Sequence, residues 1–422
     1  MKAPSGAPWR DKPSWSRKLW AALRRAARSG WQANATSCLY DCYVDNALGH
    51  YPQAEFVPIA TNAPPATDVR LIAYYLPQYH PIPENDEWWG KGFTDWRNVA
   101  RAFPVFDGHY QPRLPGELGY YDLRIPEIMR RQVDIARLYG ISAFCFHFYW
   151  FGGRRLLEGP LDHYLETADL DLPFCLCWAN ETWSRRWSGR EQDVLLVQRH
   201  SGEDDIAVIR GLDKYFRDPR YLRIGGKPVL TIYRAGLFVD LKATIARWRR
   251  EMERLGYPGI YLIATSAFDF AGHEDFGFDA LSEFPPHGVR TPDIESSLSV
   301  SHIRVGGRIR SYADVMTAEK AKLTGSGVIH PGVMPSWDNS ARRPTSAQIY
   351  HGSTPGLYGE WLTHAMRRAR ANPAGERLVF INAWNEWGEG AYLEPDLRYG
   401  YAYLEASAAA IRDYAASSAG AA

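Results

Sequence analysis

From residue 70 onward, short apolar runs alternate with segments whose apolar residues recur every three to four positions. The runs Leu71–Leu76, Ser142–Trp150, Pro173–Asn180, Pro228–Arg234, Ile260–Ser266, Phe278–Phe284, Val333–Asn339 and Leu378–Trp384 have strand length and are mostly β-branched or aromatic. Continuous apolarity of this kind predicts parallel strands covered on both faces. Ile125–Tyr139 and Leu241–Leu255 have helical spacing and stop at Gly140 and Gly256, a C-terminal helix signal. Ile206–Phe216, Tyr312–Leu323, Tyr358–Ala371 and Tyr401–Tyr414 read as further helices, whereas the short acidic segment from Asp269 to Asp275 offers no proper one. Eight such alternations predict an α/β fold, a (β/α)8 TIM-type barrel over residues 69–418, with a doubly wound α/β sheet as the alternative. Two features exceed a minimal barrel. The first βα loop, Pro77 to Gly119, is more than forty residues long, a length usually kept for function. Residues 1–68 read as an irregular N-terminal extension, Pro-rich near Pro58–Pro65.

The chain of 422 residues is 45% apolar, ample for one large core. Its formal net charge of +1 argues against nucleic acid as a partner, because phosphate binding wants a basic excess. No run of 18 apolar residues exists to span a membrane. Residues 14–32 set Trp15, Leu19, Trp20, Leu23 and Ala27 against Arg17, Lys18, Arg24, Arg25 and Arg28, the pattern of a basic interfacial helix. Peripheral membrane contact through that segment, packing on the barrel and a solvated tail all remain open. The five Cys form no disulfide framework and complete no zinc site, which fits a reduced, cytoplasmic compartment. The aromatic load is the unusual number: 16 Trp, 25 Tyr and 17 Phe.

Much of that load falls where the predicted strands end, the catalytic face of such a barrel. The first strand and its loop bring Tyr75, Gln78, Tyr79, Trp88, Trp89, Asp95 and Trp96; the second brings Tyr149. The third ends in Trp178, Asn180, Glu181 and Trp183, with Trp187 close behind, and the seventh in Trp337 and Asp338. The eighth delivers Trp384, Asn385, Glu386 and Glu389. Aromatic faces rimmed by amides and acids suit stacking and hydrogen bonding to sugars. His80, His147 and His287 also fall there and read as polar packing. Glu386 and Glu389 are three apart, so a helical turn after the strand would place them on one face with Cβ atoms roughly 5–6 Å apart. Carboxyls that close cannot both ionise freely, so one tends to keep a proton while the other stays charged. No cofactor is expected: no carboxylate cluster has metal-ligand spacing, and no Gly-rich phosphate loop opens a Rossmann-like first unit.

The segments YYLPQYHPIPENDEWWGKGFTDWRNV (74–99), FCFHFYWFGG (144–153), LCWANETW (176–183) and FINAWNEWGEGAYLEPD (380–396) resemble the WbsX-type proteins of bacterial polysaccharide biosynthesis. Those proteins look like relatives of glycoside hydrolase family 99, the endo-α-mannosidases and endo-α-mannanases. The resemblance covers about residues 70–410 and implies a barrel with its carboxylates on the last strand. It implies Glu386 as the base that takes a proton from the sugar 2-hydroxyl, and Glu389 as the acid for the departing oxygen, with configuration retained. The hydrolase motif usually carries His where this chain has Gly388. Asn180-Glu181 resembles the acid/base pair of many retaining glycosidases, so a second scheme has Glu181 as acid and Glu386 as nucleophile. The expected substrate is an oligosaccharide or polysaccharide, lipid-linked glycans included, and the expected activity lies between glycosyltransferase and glycoside hydrolase or transglycosylase. A non-catalytic carbohydrate-binding barrel stands as the third reading.

Overall fold

A computed structural model describes residues 33–185, 190–298, 306–322 and 325–419. The amphipathic segment 14–32 and Trp187 lie outside them. The strands facing the core are β1 (Arg70–Tyr75), β2 (Ala143–Phe151), β3 (Phe174–Trp178), β4 (Lys227–Ile232), β5 (Tyr261–Thr265) and β6 (Ala280–Ser282). They are followed by β7, made of Val328–His330 and Gly332–Val333, and by β8 (Leu378–Ile381). Each is parallel to its neighbours, and the two pieces of β7 close the ring: Ala280 pairs with Val328 on one side, Gly332 with Phe380 on the other. Pro331 separates the pieces because it has no N–H for the ladder, yet its carbonyl still accepts from the Phe380 N–H at 2.9 Å. Closure makes the fold a (β/α)8 barrel and removes the doubly wound alternative.

The helices follow from their caps. Pro126–Leu138 begins with proline, whose missing N–H is one the first turn would not use. Gly202–Phe216, Leu241–Arg254 and Pro355–Ala369 each begin behind a side chain, Ser201, Asp240 and Thr354, that accepts from a first-turn N–H. The acidic stretch after β5 holds only the four-residue helix His273–Phe276.

Three expectations need correction. The seventh strand was expected over Val333–Asn339; it ends at Val333, and Trp337–Asp338 instead pairs antiparallel with Gln348–His351 in a separate three-stranded sheet. Prolines at 331 and 335 bracket the true strand end and release the chain from the barrel. The third, sixth and eighth strands are shorter than expected and stop at Trp178, Ser282 and Ile381, so the chemistry-bearing residues sit on the turns beyond them. The extension is not wholly irregular, since Ala33–Leu48 is a helix. Its Asn46 amide donates to the carbonyls of His109 and Gln111 at 3.1 and 3.0 Å, docking the helix on the long first loop. Cys42, Cys145, Cys175 and Cys177 are free thiols. No helix among the described residues is long and apolar enough to cross a membrane.

Candidate active site

Beyond β8 the chain makes a tight hairpin. Asn385–Glu386 pairs antiparallel with Ala391–Tyr392, and a 3-10 turn over Trp387–Glu389 joins them. Side chains three apart eclipse on a 3-10 turn, so Glu386 and Glu389 emerge on the same side. Both line a cavity of about 530 Å³ at the C-terminal end of the barrel, of the size that holds a small ligand.

The two carboxylates meet on Arg342, which lies in no sequence motif. Its Nη2 lies 2.7 Å from Glu386 Oε2 and 2.7 Å from Asp95 Oδ2, and its Nη1 lies 2.9 Å from Glu389 Oε1. One guanidinium thus serves three carboxylates in a largely buried site. Burial pushes the Glu389 carboxyl up to about 7, with the Glu386 charge adding to the rise and Arg342 opposing it. A group poised there can give a proton and take it back near neutrality. His147 stands on the other side, its Nε2 3.9 Å from Glu386 Oε1.

Gly388 is part of this arrangement. A Cβ there would come within 2.4 Å of Asp95 Oδ2 and 2.7 Å of Arg342 Nε, so the acid–guanidinium pair occupies the space a side chain would need. Where the resembling hydrolases carry His, this chain has that ion pair. Gly388→Ala is therefore expected to cost about 1–3 kcal/mol of stability, because an overpacked site must displace its neighbours. Urea unfolding of the two proteins measures it.

The strand pleat decides which of the expected residues reach the cavity. Gln78, Trp89, Tyr149, Glu181, Trp183, Trp337, Glu386 and Glu389 line it. Trp183 meets Tyr149 edge-on at 5.1 Å between ring centres, and Glu181 is paired with Arg234 at 2.7 Å. The others stand outside the lining. Tyr75 points away from the barrel axis and donates to Gln132 at 2.7 Å. Trp178 packs outward on Phe238 and Trp248. Asn180 staples the end of β3 to β4, donating to the Arg234 carbonyl at 3.0 Å and accepting from its N–H at 2.8 Å. Asn385 does the same for β1, with 3.1 and 2.7 Å bonds to the Leu76 carbonyl and N–H. Tyr79 supports the hairpin from behind, donating to the Asn385 carbonyl at 2.7 Å and accepting from the Trp387 N–H at 3.1 Å. Trp88 packs against Trp183, Trp96 against Trp387, and Trp384 against Phe144. Asp95 sits at the start of the helix Trp96–Ala100 but makes no side-chain cap; it holds Arg342 instead. Asp338 turns to His109 and Gln111 at 2.8 and 2.7 Å; burial works against its charge, but His109 and Arg113 hold its carboxyl well below the usual range.

Besides Arg342, the cavity takes Arg310, Arg343 and Tyr350 from a small side sheet and a loop whose sequence carries no motif. These are ordinary residue types in ordinary spacing, so only the fold brings them forward.

A closed parallel eight-stranded barrel with two carboxylates on the turn after its last strand defines a protein of the TIM-barrel class. The chain belongs to the family described as glycosyltransferase WbsX, whose sequence model matches residues 71–407. It is 46% identical over 367 residues to the WxcX protein of Xanthomonas campestris pv. campestris strain B100, and equally to that of strain ATCC 33913. That match covers 86% of this chain and 52% of the relative, so the chain spans about half the length of the curated relatives it matches. Among solved structures it is similar to the GH99 endo-alpha-mannosidase from Bacteroides thetaiotaomicron, with TM-score 0.50 and 18% identity over 84% of this chain and 100% of that one. A glycoside hydrolase-like protein gives TM-score 0.53 and 15% identity over 86% and 99%. At such identities the likeness shows the fold.

Proposed function

We propose that the protein acts at glycosidic bonds of a bacterial surface polysaccharide, of O-antigen or capsule type, by retaining chemistry that uses Glu386 and Glu389. The observation that carries this reading is the pair of carboxylates on one guanidinium at the floor of the cavity, one of them pushed up to about 7. Glu386 takes the proton of the sugar 2-hydroxyl, and that oxygen forms a bond to C1 as the glycosidic C1–O bond breaks. Glu389 gives its proton to the departing oxygen, leaving a 1,2-anhydro sugar. An acceptor hydroxyl then loses its proton to Glu389 and attacks C1. The epoxide C1–O2 bond opens, and O2 recovers the proton held by Glu386. Two inversions leave the configuration retained. Water as acceptor makes the reaction hydrolysis; a glycan hydroxyl makes it transfer.

Glu181 faces the same cavity on a separate cation, Arg234, whereas one guanidinium, Arg342, joins Glu386 directly to Glu389, which favours that pair over the Glu181–Glu386 scheme. Membership of the WbsX family supports action on carbohydrate, and the aromatic walls Trp89, Trp183 and Trp337 support a sugar chain as ligand. The free thiols fit a cytoplasmic protein working on lipid-linked glycan at the inner membrane face.

The experiment is incubation with lipid-linked glycans, with and without nucleotide sugars, and mass analysis of the products. Lengthening only when a nucleotide sugar is present identifies a glycosyltransferase; shortening or exchange without one identifies a hydrolase or transglycosylase. In either case Glu386→Gln is expected to lose turnover and keep glycan affinity. A protein that binds glycans, converts none and is indifferent to that substitution would be a binding barrel, and the proposal would be wrong.

A further inference from the structure

The three-stranded sheet at the mouth of the barrel consists of Arg308–Ser311, Gln348–His351 and Trp337–Asp338. Its register aligns Arg310 with Tyr350 and Tyr350 with Trp337, so the three side chains stand in one row on one face. All three line the cavity that holds Glu386 and Glu389. The opposite face carries Ile309 and Ile349 into a small core with Val105 and Phe106, which fixes the row's orientation.

Arg310 is only 7% exposed. Its Nε donates to the Thr291 carbonyl at 3.2 Å, its Nη1 to Gln348 Oε1 at 2.8 Å, and its guanidinium lies 5.8 Å from the Tyr350 ring centre. Each of these partners is uncharged. Among the described residues no carboxylate is ion-paired to Arg310, whose side chain is held by Thr291, Gln348 and Tyr350 alone. Arg342 in the same lining contrasts with it, meeting three carboxylates. Next in the row, the Trp337 indole N–H is buried without a partner. Burying a cation without a counter-charge is costly, and a guanidinium in a cavity wall matches the shape of an oxyanion.

We propose that the Arg310–Tyr350–Trp337 row binds an oxyanion carried by the substrate, a sugar carboxylate or a phosphate substituent, so that the site takes an acidic glycan. The inference rests on the reading of this cavity as a glycan site and names the class of glycan. It also sets direction: the anionic group cannot sit at the Asp95–Glu386–Glu389 end, where it would meet like charge. It must lie along the small sheet while the neutral anomeric centre faces the acid pair.

The test is calorimetric binding to the Glu386→Gln protein, which keeps the measurement independent of turnover. The probes are glucuronate oligosaccharides with their carboxyl-reduced counterparts, and hexose 1-phosphates with the free hexoses. Hydrogen bonds to a charged partner predict at least one acid form binding about ten-fold or more tighter than its neutral counterpart. The preference should shrink with added salt. The carboxylate and phosphate arms tell which oxyanion the row takes. Arg310→Met should abolish the preference while neutral-sugar affinity persists, and Arg310→Lys should keep part of it; thermal melting checks that each variant is folded. Should no acidic probe bind better than its neutral counterpart, or should folded Arg310→Met retain the preference, the inference is overturned. A clear acid preference in a protein that converts no glycan would instead overturn the proposed reaction and leave the oxyanion site standing.

Discussion

Glu389→Gln is expected to lower turnover by about 10²–10⁴-fold while glycan affinity changes little, the usual size of a lost general acid–base contribution. Glutamine keeps the shape and the hydrogen bonding to Arg342 in part, but it has no proton to give the departing oxygen. In the unaltered protein the acid form must be present, and burial has pushed this carboxyl up to about 7. kcat/KM should therefore fall as pH rises through about 7, and the residual activity of the variant should lack that limb. Stability carries the same signature. The folded carboxyl titrates above the ordinary glutamate value of 4.5, so at intermediate pH the native state holds a proton that the unfolded chain has lost. Stability contributed by this group is full below about 4.5 and is lost as pH rises to about 7. Denaturant midpoints measured across that window should decline in the unaltered protein and decline less in Glu389→Gln. Equal pH profiles for the two proteins would contradict the assignment.

Arg342→Met should be the most damaging single change for stability, with a loss of about 3–5 kcal/mol, because removing one partner of a buried ion pair strands the rest. Here three carboxylates are stranded: Asp95, Glu386 and Glu389 would face one another with their shared cation gone. Activity should vanish with it, since the geometry of both glutamates depends on that guanidinium. The deficit should narrow on acidification, as protonation relieves the repulsion, and urea unfolding at neutral and acidic pH tests this. Arg342→Lys should recover only part of the loss, because a single ammonium cannot span three acceptors as a planar fork does. A methionine variant as stable as its parent at neutral pH would show that the three acids are not held by this residue.

The barrel was legible because eight parallel strands must each be apolar on both faces, and that requirement writes itself into the chain as short continuous runs. The pairing of Glu386 with Glu389 was legible for a different reason, although the turn expected was helical and the chain makes a hairpin. Two Glu three residues apart, between Trp and Gly and just after such a run, can share a face whatever local turn follows. What could not be read was the parity of each neighbour. Trp337 and Asp338 are adjacent, yet the pleat sends the first into the cavity and the second to His109. Glu386 and Asn385 divide in the same way, and Tyr75 and Trp178 fall on the outward side of their strands. Residue type was a sound guide to the end of the barrel and a poor guide to which side of the backbone a side chain takes.

Arg342 shows where local reading ends. It is 44 residues from Glu386 and 247 from Asp95, on a loop released from β7 by its prolines, and it belongs to no motif. Its partners are set by how three loops converge, and Gly388 is explained only by the ion pair lying against it. The chain's apolar pattern and its paired acids determined by themselves that this is a barrel with a carboxylate duo at its mouth, because both depend on spacings of a few residues. The tertiary structure alone decided which cation holds the duo, which aromatics face the ligand and where an unpaired positive charge waits, because those contacts join positions that the sequence keeps far apart.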